Sequence, residues 1–443
     1  MGMPAARWGG RRPGGSRELR FTGGGTAHTW DDSGRFTSIN GAVQPTLTGI
    51  QAGEIQRWRF LHAGIHDSIN LQVVPMIARG ANAQLALQGR LAATPAQQAR
   101  TVQEVCPVTA DPGAGPSVAV VPQFEIAVDG LTRTSIRRIG GRSESGGMAT
   151  NYLQSGYRSD VLIAFPHEGT YCVLNQAAAP GERVKGQGPA TTQLLATVIV
   201  KGGKPVTANI ETYVEQALYD NNKGNKSLPA PALKGDLTPW KAMADLKDAI
   251  ITSAPQKVNF VIGVVLPKNN SPLNLPSGCP NAPKEGKVFY VNCNSYDPDR
   301  IDFTRQVGST DDWLLTSANG FEEPHIFHIH VNPFEVMDVK ELGSGKSIFG
   351  PNGECLVKPN ALGLENQYCG MRHTFRDTVF VQNGYQVQVR TKYDRYIGEF
   401  VIHCHLLDHE DDGMMTNIAI VSEASAPGGG LGIPGMKHGE KPE

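Results

Sequence analysis

Apolar residues between positions 27 and 201 fall into short runs separated by turn residues, at Ile69–Val74, Ser117–Val121, Phe124–Val128, Val161–Phe165 and Leu194–Val200. Runs of this length and spacing predict the strands of a β-sandwich or barrel. The pattern changes at Gly202. Ile210–Tyr219 and Pro239–Ile250 have helical spacing, and a Pro-bearing link covers Lys223–Leu233. A second strand-rich stretch follows, with strands expected at Val258–Leu266, Lys287–Asn292, Phe334–Lys340, Thr378–Val381, Gln386–Arg390 and Glu399–His403. The expected organisation is a Gly/Arg-rich, disordered leader over 1–26, a first β domain over 27–201 and a linker with short helices over 202–255. A second β domain over 256–423 and a flexible tail over 424–443 complete it.

Composition supports this picture and narrows the function. The 443 residues include 51 Gly and 30 Pro, which suits β-structure with many turns. Lys+Arg is 41 against Asp+Glu 42, for a net charge of −1, so no basic surface points to nucleic acid. No apolar run reaches the length of a membrane-spanning helix, and the leader lacks the apolar segment of a secretory signal. Seven cysteines occur. Cys279/Cys293 and Cys355/Cys369 each flank a short turn-rich segment, and Cys106 could join Cys172. Three disulfides would place the chain in an oxidising compartment, periplasmic or secreted.

The seventh cysteine sits in the most informative segment. Six of the twelve histidines lie in two short clusters, His325-Ile-Phe-His328-Ile-His330 and His403-Cys404-His405-Leu-Leu-Asp-His409, the latter followed by Gly413-Met414-Met415. Side chains alternate between the two faces of a strand. His403 and His405 therefore share one face and Cys404 takes the other; His328 and His330 share a face, and His325 has the opposite parity. Pairing the two segments brings four imidazoles together on one side and His325 with Cys404 on the other. The turn after His405 can return His409 and Met414. Two imidazoles, a thiolate and a weak thioether form the donor set of a blue-copper site. Structural zinc is the rival for a Cys/His set, but it does not account for four further imidazoles on the opposite face.

The pattern H-x-x-H-x-H followed by H-C-H-x-x-x-H-x-x-x-x-M resembles the last cupredoxin domain of the multicopper oxidases, the family of laccases and bilirubin oxidases. Arg376-Asp377-Thr378-Val379 and Gly398-Glu-Phe-Val-Ile-His403 resemble the family's run into that motif. Asn40-Gly41, Pro45, Gly53-Glu54, Arg57-Trp58-Arg59, Asp129-Gly130 and Arg158 with Asp160-Val161-Leu162 resemble its copper-free middle domain. The resemblance implies an all-β fold of two cupredoxin-like Greek-key β-sandwich domains joined by a partly helical linker. It implies a type 1 copper on His325, Cys404, His409 and Met414, a type 2 ligand at His328, and type 3 ligands at His330, His403 and His405. Glu410 matches an acidic residue that assists proton delivery to oxygen in some members, and His409 or His325 would be the surface edge for electron entry.

The implied activity is one-electron oxidation of a phenolic or metal-ion donor coupled to reduction of dioxygen to water. The two H-x-H pairs of the family's first domain are not present, so only four of eight trinuclear ligands are expected here. His62 and His66, spaced i,i+4, read as structural. Three readings follow from the shortfall: an incomplete laccase-like oxidase, a single-copper electron-transfer protein, or a chain completed by a missing-domain partner or by a homo-oligomer.

Overall fold

The computed structural model of the chain describes residues 37–65, 68–77, 102–108, 120–141, 143, 145–176, 182, 192–224, 235–265, 272–273, 286–317, 324–360 and 362–422. A small hairpin opens it, β1 (Ser38–Ile39) and β2 (Ala42–Val43), turned by Asn40 and Gly41 at positive φ. Then come β3 (Thr46–Ala52), β4 (Ile55–Leu61), β5 (Ile69–Pro75), β6 (Gln123–Val128), β7 (Leu131–Ile139), β8 (Asn151–Leu153), β9 (Arg158–Ala164), β10 (Gly169–Asn175) and β11 (Gln193–Gly203). They form one sheet of order β3-β11-β10-β5-β8 and another of order β4-β9-β6-β7.

Helix α1 (Ile210–Asn222) separates this sandwich from the second. Its N-terminus is capped by the Asn209 side chain, which accepts from the backbone N–H groups of Glu211 and Thr212. Val214 is buried against Phe124 and Leu162. The second sandwich comprises β12 (Gln256–Val265), β13 (Pro272–Leu273), β14 (Gly286–Val291), β15 (Ile301–Gln306), β16 (Thr310–Ser317), β17 (His325–Ile329), β18 (Phe334–Glu341), β19 (Phe375–Arg376), β20 (Thr378–Val381), β21 (Tyr385–Lys392), β22 (Gly398–Cys404) and β23 (Met415–Val421). One sheet runs β13-β12-β16-β21-β18-β19 with β14 also on β12, and the other runs β15-β23-β22-β17-β20. A short helix, α2 (Leu407–Asp411), lies between β22 and β23. The architecture is the cupredoxin-like β-sandwich, present twice.

The expected helix over Pro239–Ile250 does not form. A single 3-10 turn at Thr238–Trp240 takes its place. Side chains of the second sandwich satisfy the following backbone: Glu335 accepts from the Leu246 N–H, and Arg390 donates to the carbonyls of Leu246 (2.9 Å) and Lys247 (3.0 Å). Those bonds replace the helical ladder. Ser117–Val121 also departs from expectation: Val120 and Val121 belong to no strand, and the rest of that run lies outside the described residues. The link over Lys223–Leu233, the leader and the tail lie largely or wholly outside them too.

Cys106 pairs with Cys172 and Cys355 with Cys369. Cys279, the expected partner of Cys293, is outside the described residues. Among the described residues no helix is long and apolar enough to cross a membrane.

The two sandwiches share one continuous apolar core, in which Phe165 and Val173 of the first belong with Phe327, Phe380 and Cys404 of the second. Tyr157 anchors the junction. Its hydroxyl accepts the Phe380 N–H at 2.8 Å, and the Arg376 guanidinium lies 4.2 Å from its ring centroid.

Candidate metal centres

Strand register builds the first centre. In the antiparallel pair of β17 and β22, Phe327 lies opposite Cys404 and His328 opposite His403. Residues two apart share a face, so His325 joins Phe327 and Cys404 on the core side. α2 then returns His409. The Cys404 sulfur lies 3.6 Å from His325 Nδ1 and 3.8 Å from His409 Nδ1, and the two nitrogens are 3.3 Å apart. All three residues are buried. Phe260 stacks 5.3 Å from the His325 ring and Phe289 5.1 Å from that of His409. Met414 is fully buried beside the triad; its N–H donates to the His409 carbonyl and its carbonyl accepts from the Cys404 N–H. Gly413, at φ +106°, makes the turn that sets Met414 there.

Burial governs the protonation of this group. It pushes the Cys404 thiol up to about 12, with backbone hydrogen bonds only partly offsetting it. It also drives His325 well below its ordinary range, with His409 adding to the effect. His325 is thus neutral and able to ligate at neutral pH, while the thiol must lose a proton to a metal.

The second centre occupies the opposite face. His328, His330 and His403 present ligand atoms within 4.8 Å of one another. His330 Nε2 lies 3.2 Å from His403 Nε2, and the His405 ring is 5.5 Å from that of His328 and 5.6 Å from that of His403. Burial, then repulsion from His403, lowers His328 to about 4, against the raising influence of Asp377. The cluster opens toward solvent at His330, which is exposed and followed by the exposed Val331.

Residues 265–424 match the Multicopper oxidase family. That segment is multicopper oxidase-like. The chain is 30% identical over 135 residues to a multicopper oxidase of Staphylococcus aureus, covering 29% of this chain and 24% of that one. It is 34% identical over 110 residues to a laccase of Haloferax volcanii, covering 25% and 15% respectively. The matched segments thus span a quarter or less of these curated relatives. Among solved structures, a multicopper oxidase of Campylobacter jejuni, described as a metallo-oxidase, aligns over 88% of this chain and 57% of that one, with 17% identity and a TM-score of 0.48.

Copper is the metal of the multicopper oxidase family, and the donor triangle of the thiol centre fits such an ion. A point equidistant from the three donor atoms lies about 2.1 Å from each, within the range of about 2.0–2.3 Å for bonds from imidazole nitrogen and thiolate sulfur to a metal such as zinc. Soft sulfur with two imidazoles suits copper.

Glu410 is not a solvated loop carboxylate: its Oε2 lies 3.2 Å from His403 Nδ1. That hydrogen bond holds its carboxyl below the usual range. His409 and His325, expected as surface edges, are 4% and 0% exposed; the rings of Phe289 and Phe260 cover them. Among the described residues, His405 adjoins the second group by its ring but is not in the 4.8 Å set, and His62, His167 and His373 also stand outside both groups. His62 is a buried histidine lowered to about 4 by desolvation, and His66 lies outside the described residues.

Asp129, Arg158 and Asp377 lie in the family-like motifs of the sequence, but what they touch shows only in the fold. Asp377 accepts a forked pair of hydrogen bonds from Arg158, and its carbonyl lies 2.8 Å from His328 Nδ1. The contact of Gly156 also shows only in the fold: a Cβ there would stand 2.6 Å from the His405 ring. Parity along a strand finds residues that share a face; it carries no information on a second sandwich reaching across.

Proposed function

We propose that this chain is a laccase-like oxidoreductase component, with copper held by Cys404, His325 and His409 and with Met414 as weak axial donor. His328 would serve as the type 2 ligand and His330, His403 and His405 as type 3 ligands, forming half of a trinuclear site. Copper, when bound, supplies one-electron oxidation of a phenolic or metal-ion donor and four-electron reduction of dioxygen to water.

The observation that carries this reading is that the thiol triad and the imidazole cluster lie on opposite faces of one strand, joined by the consecutive residues His403, Cys404 and His405. The chain's own part is to hold the imidazoles in place, to keep water from the buried thiol behind Phe260 and Phe289, and to keep the Glu410 carboxylate against His403. Glu410, ionised and beside the cluster, is suited to receive and pass protons.

The division into a first domain (27–201), a linker (202–255) and a copper-binding domain (256–423) belongs to the same proposal. Two disulfides support a periplasmic or secreted location. The exposed His330 edge favours completion of the cluster by donors from a second copy or another polypeptide.

A single-copper electron-transfer protein is the second reading, favoured by that same open edge. Copper content, visible absorption and electron paramagnetic resonance of the copper-loaded protein decide between them. A blue thiolate-to-copper band with further copper at the imidazoles supports the oxidase reading. One copper per chain supports electron transfer, and absence of the band refutes both.

A further inference from the structure

The first sandwich supplies none of the clustered imidazoles, yet it reaches two of them. Arg158, at the start of β9, crosses the junction and forks onto Asp377, with Nη1 at 2.8 Å from Oδ1 and Nη2 on Oδ2. The guanidinium is itself braced, donating to the carbonyls of Gly156 (3.0 Å) and Asp129 (3.2 Å). The buried Asp129 carboxylate accepts the backbone N–H groups of Arg158, Asp377 and Thr378 at 3.1–3.3 Å. The loop that ends at Arg158 also carries Gly156, at φ +84°, packed so tightly that an added Cβ would meet three atoms of the His405 ring within 2.9 Å.

The consequence for His328 follows from counting protons. Its Nδ1 has two neighbours, the Asp377 carbonyl at 2.8 Å and Thr378 Oγ1 at 3.0 Å. The Thr378 hydroxyl donates its hydrogen to Asp377 Oδ1 at 2.8 Å, so towards His328 it offers only a lone pair. Both neighbours are acceptors. Nδ1 must therefore carry the proton, which leaves Nε2 bare for a metal. Arg158 fixes the carboxylate that engages the threonine hydrogen. Were the carboxylate freed, Thr378 could turn its hydrogen to Nδ1 and reverse the tautomer.

We propose that Arg158 and Asp377 are positioning residues that set the His328 tautomer across the junction between the sandwiches, while Gly156 seats His405. This rests on the reading that the imidazoles bind metal, but its first test does not need one. Long-range proton–nitrogen correlation spectra of the full chain, before metal addition, report which nitrogen of each imidazole is protonated. His328 is expected in the Nδ1–H form. Arg158→Gln and Asp377→Asn should convert it to a mixture of tautomers, and Arg158→Lys should restore the Nδ1–H form in part, because lysine keeps the charge without the fork. Retention of the pure Nδ1–H form in both Arg158→Gln and Asp377→Asn would overturn the proposal.

Copper binding gives the second arm. Loss of an outer partner of a ligating histidine commonly lowers metal affinity about 10–100-fold. Arg158→Gln and Gly156→Ala should show that loss for copper at the imidazoles while the thiolate band stays unchanged, which also shows that the second sandwich is folded. Unchanged affinity at the imidazoles in both variants would count against the positioning role. If the unsubstituted chain binds no copper there, the metal reading fails separately, and the tautomer spectra still decide the role of Arg158.

Discussion

Replacing Asp129 by alanine tests the junction most directly. The carboxylate is fully buried and accepts three backbone N–H groups, from Arg158 at 3.1 Å and from Asp377 and Thr378 at 3.3 Å each. It also faces the buried Arg376 guanidinium at 3.6 Å. Alanine would remove the carboxylate from all of them, leaving the Arg376 Nε only the Thr378 carbonyl at 3.0 Å. A buried unsatisfied donor costs about 1–3 kcal/mol, and breaking a buried pair by deleting one partner costs about 3–5 kcal/mol. Some relaxation is expected, so the combined loss should be about 3–5 kcal/mol, a large share of the roughly 5–15 kcal/mol typical of a folded protein. Asp129 sits at φ +51° in a two-residue hairpin turn with Gly130, a conformation that asparagine tolerates and alanine does not. Asp129→Asn keeps the turn and one acceptor oxygen, and should lose about half as much. Urea unfolding followed by tryptophan fluorescence, with Trp58 in the first sandwich and Trp313 in the second, measures both values. A loss below about 1 kcal/mol for Asp129→Ala would refute the view that this carboxylate holds the sandwiches together.

Cys404→Ser should abolish the visible thiolate-to-copper band of the copper-loaded protein; a surviving band would remove Cys404 from the donor set. Metal uptake at the thiol centre should tighten about tenfold for each pH unit between roughly 7 and 9, because the Cys404 proton, held up to about 12, must leave for metal to bind. Chelator competition measures that slope, and a flat profile in the unsubstituted protein would contradict the buried neutral thiol. Met414→Leu should keep the colour and raise the reduction potential; an unchanged potential in a redox titration would argue against axial ligation. Reduction of Cys106–Cys172, which closes a sequence separation of 66, should cost about 4 kcal/mol, and reduction of Cys355–Cys369, with a separation of 14, about 3 kcal/mol. Melting curves with and without reductant check this, and coincident curves would show that the bridges add nothing.

Much of the fold was legible because its signal is local. Thr378–Val381 forms as read, and Phe334–Glu341, Tyr385–Lys392 and Gly398–Cys404 extend their expected runs by only one to three residues in total. The convergence of His325 with Cys404, and of His328, His330, His403 and His405 behind them, was legible for the same reason: period-two alternation needs only the sequence. Where distant side chains override local preference, the reading failed. Pro239–Ile250 has helical spacing, yet Glu335 and Arg390 claim backbone groups within it. The burial of His325 and His409 was missed because Phe260 and Phe289 come from β12 and β14, far away in sequence. Arg158 and Gly156 carry no periodic signal at all; their role exists only once the two sandwiches are docked.

One strand serving both centres couples their fates during evolution. A single-codon deletion or duplication inside Gly398–Cys404 would rotate every later side chain to the opposite surface, sending sulfur among the nitrogens and an imidazole into the apolar interior. Neither centre can be lengthened, shortened or slid without dismantling the other, so change along this stretch is confined to substitutions that leave its frame intact.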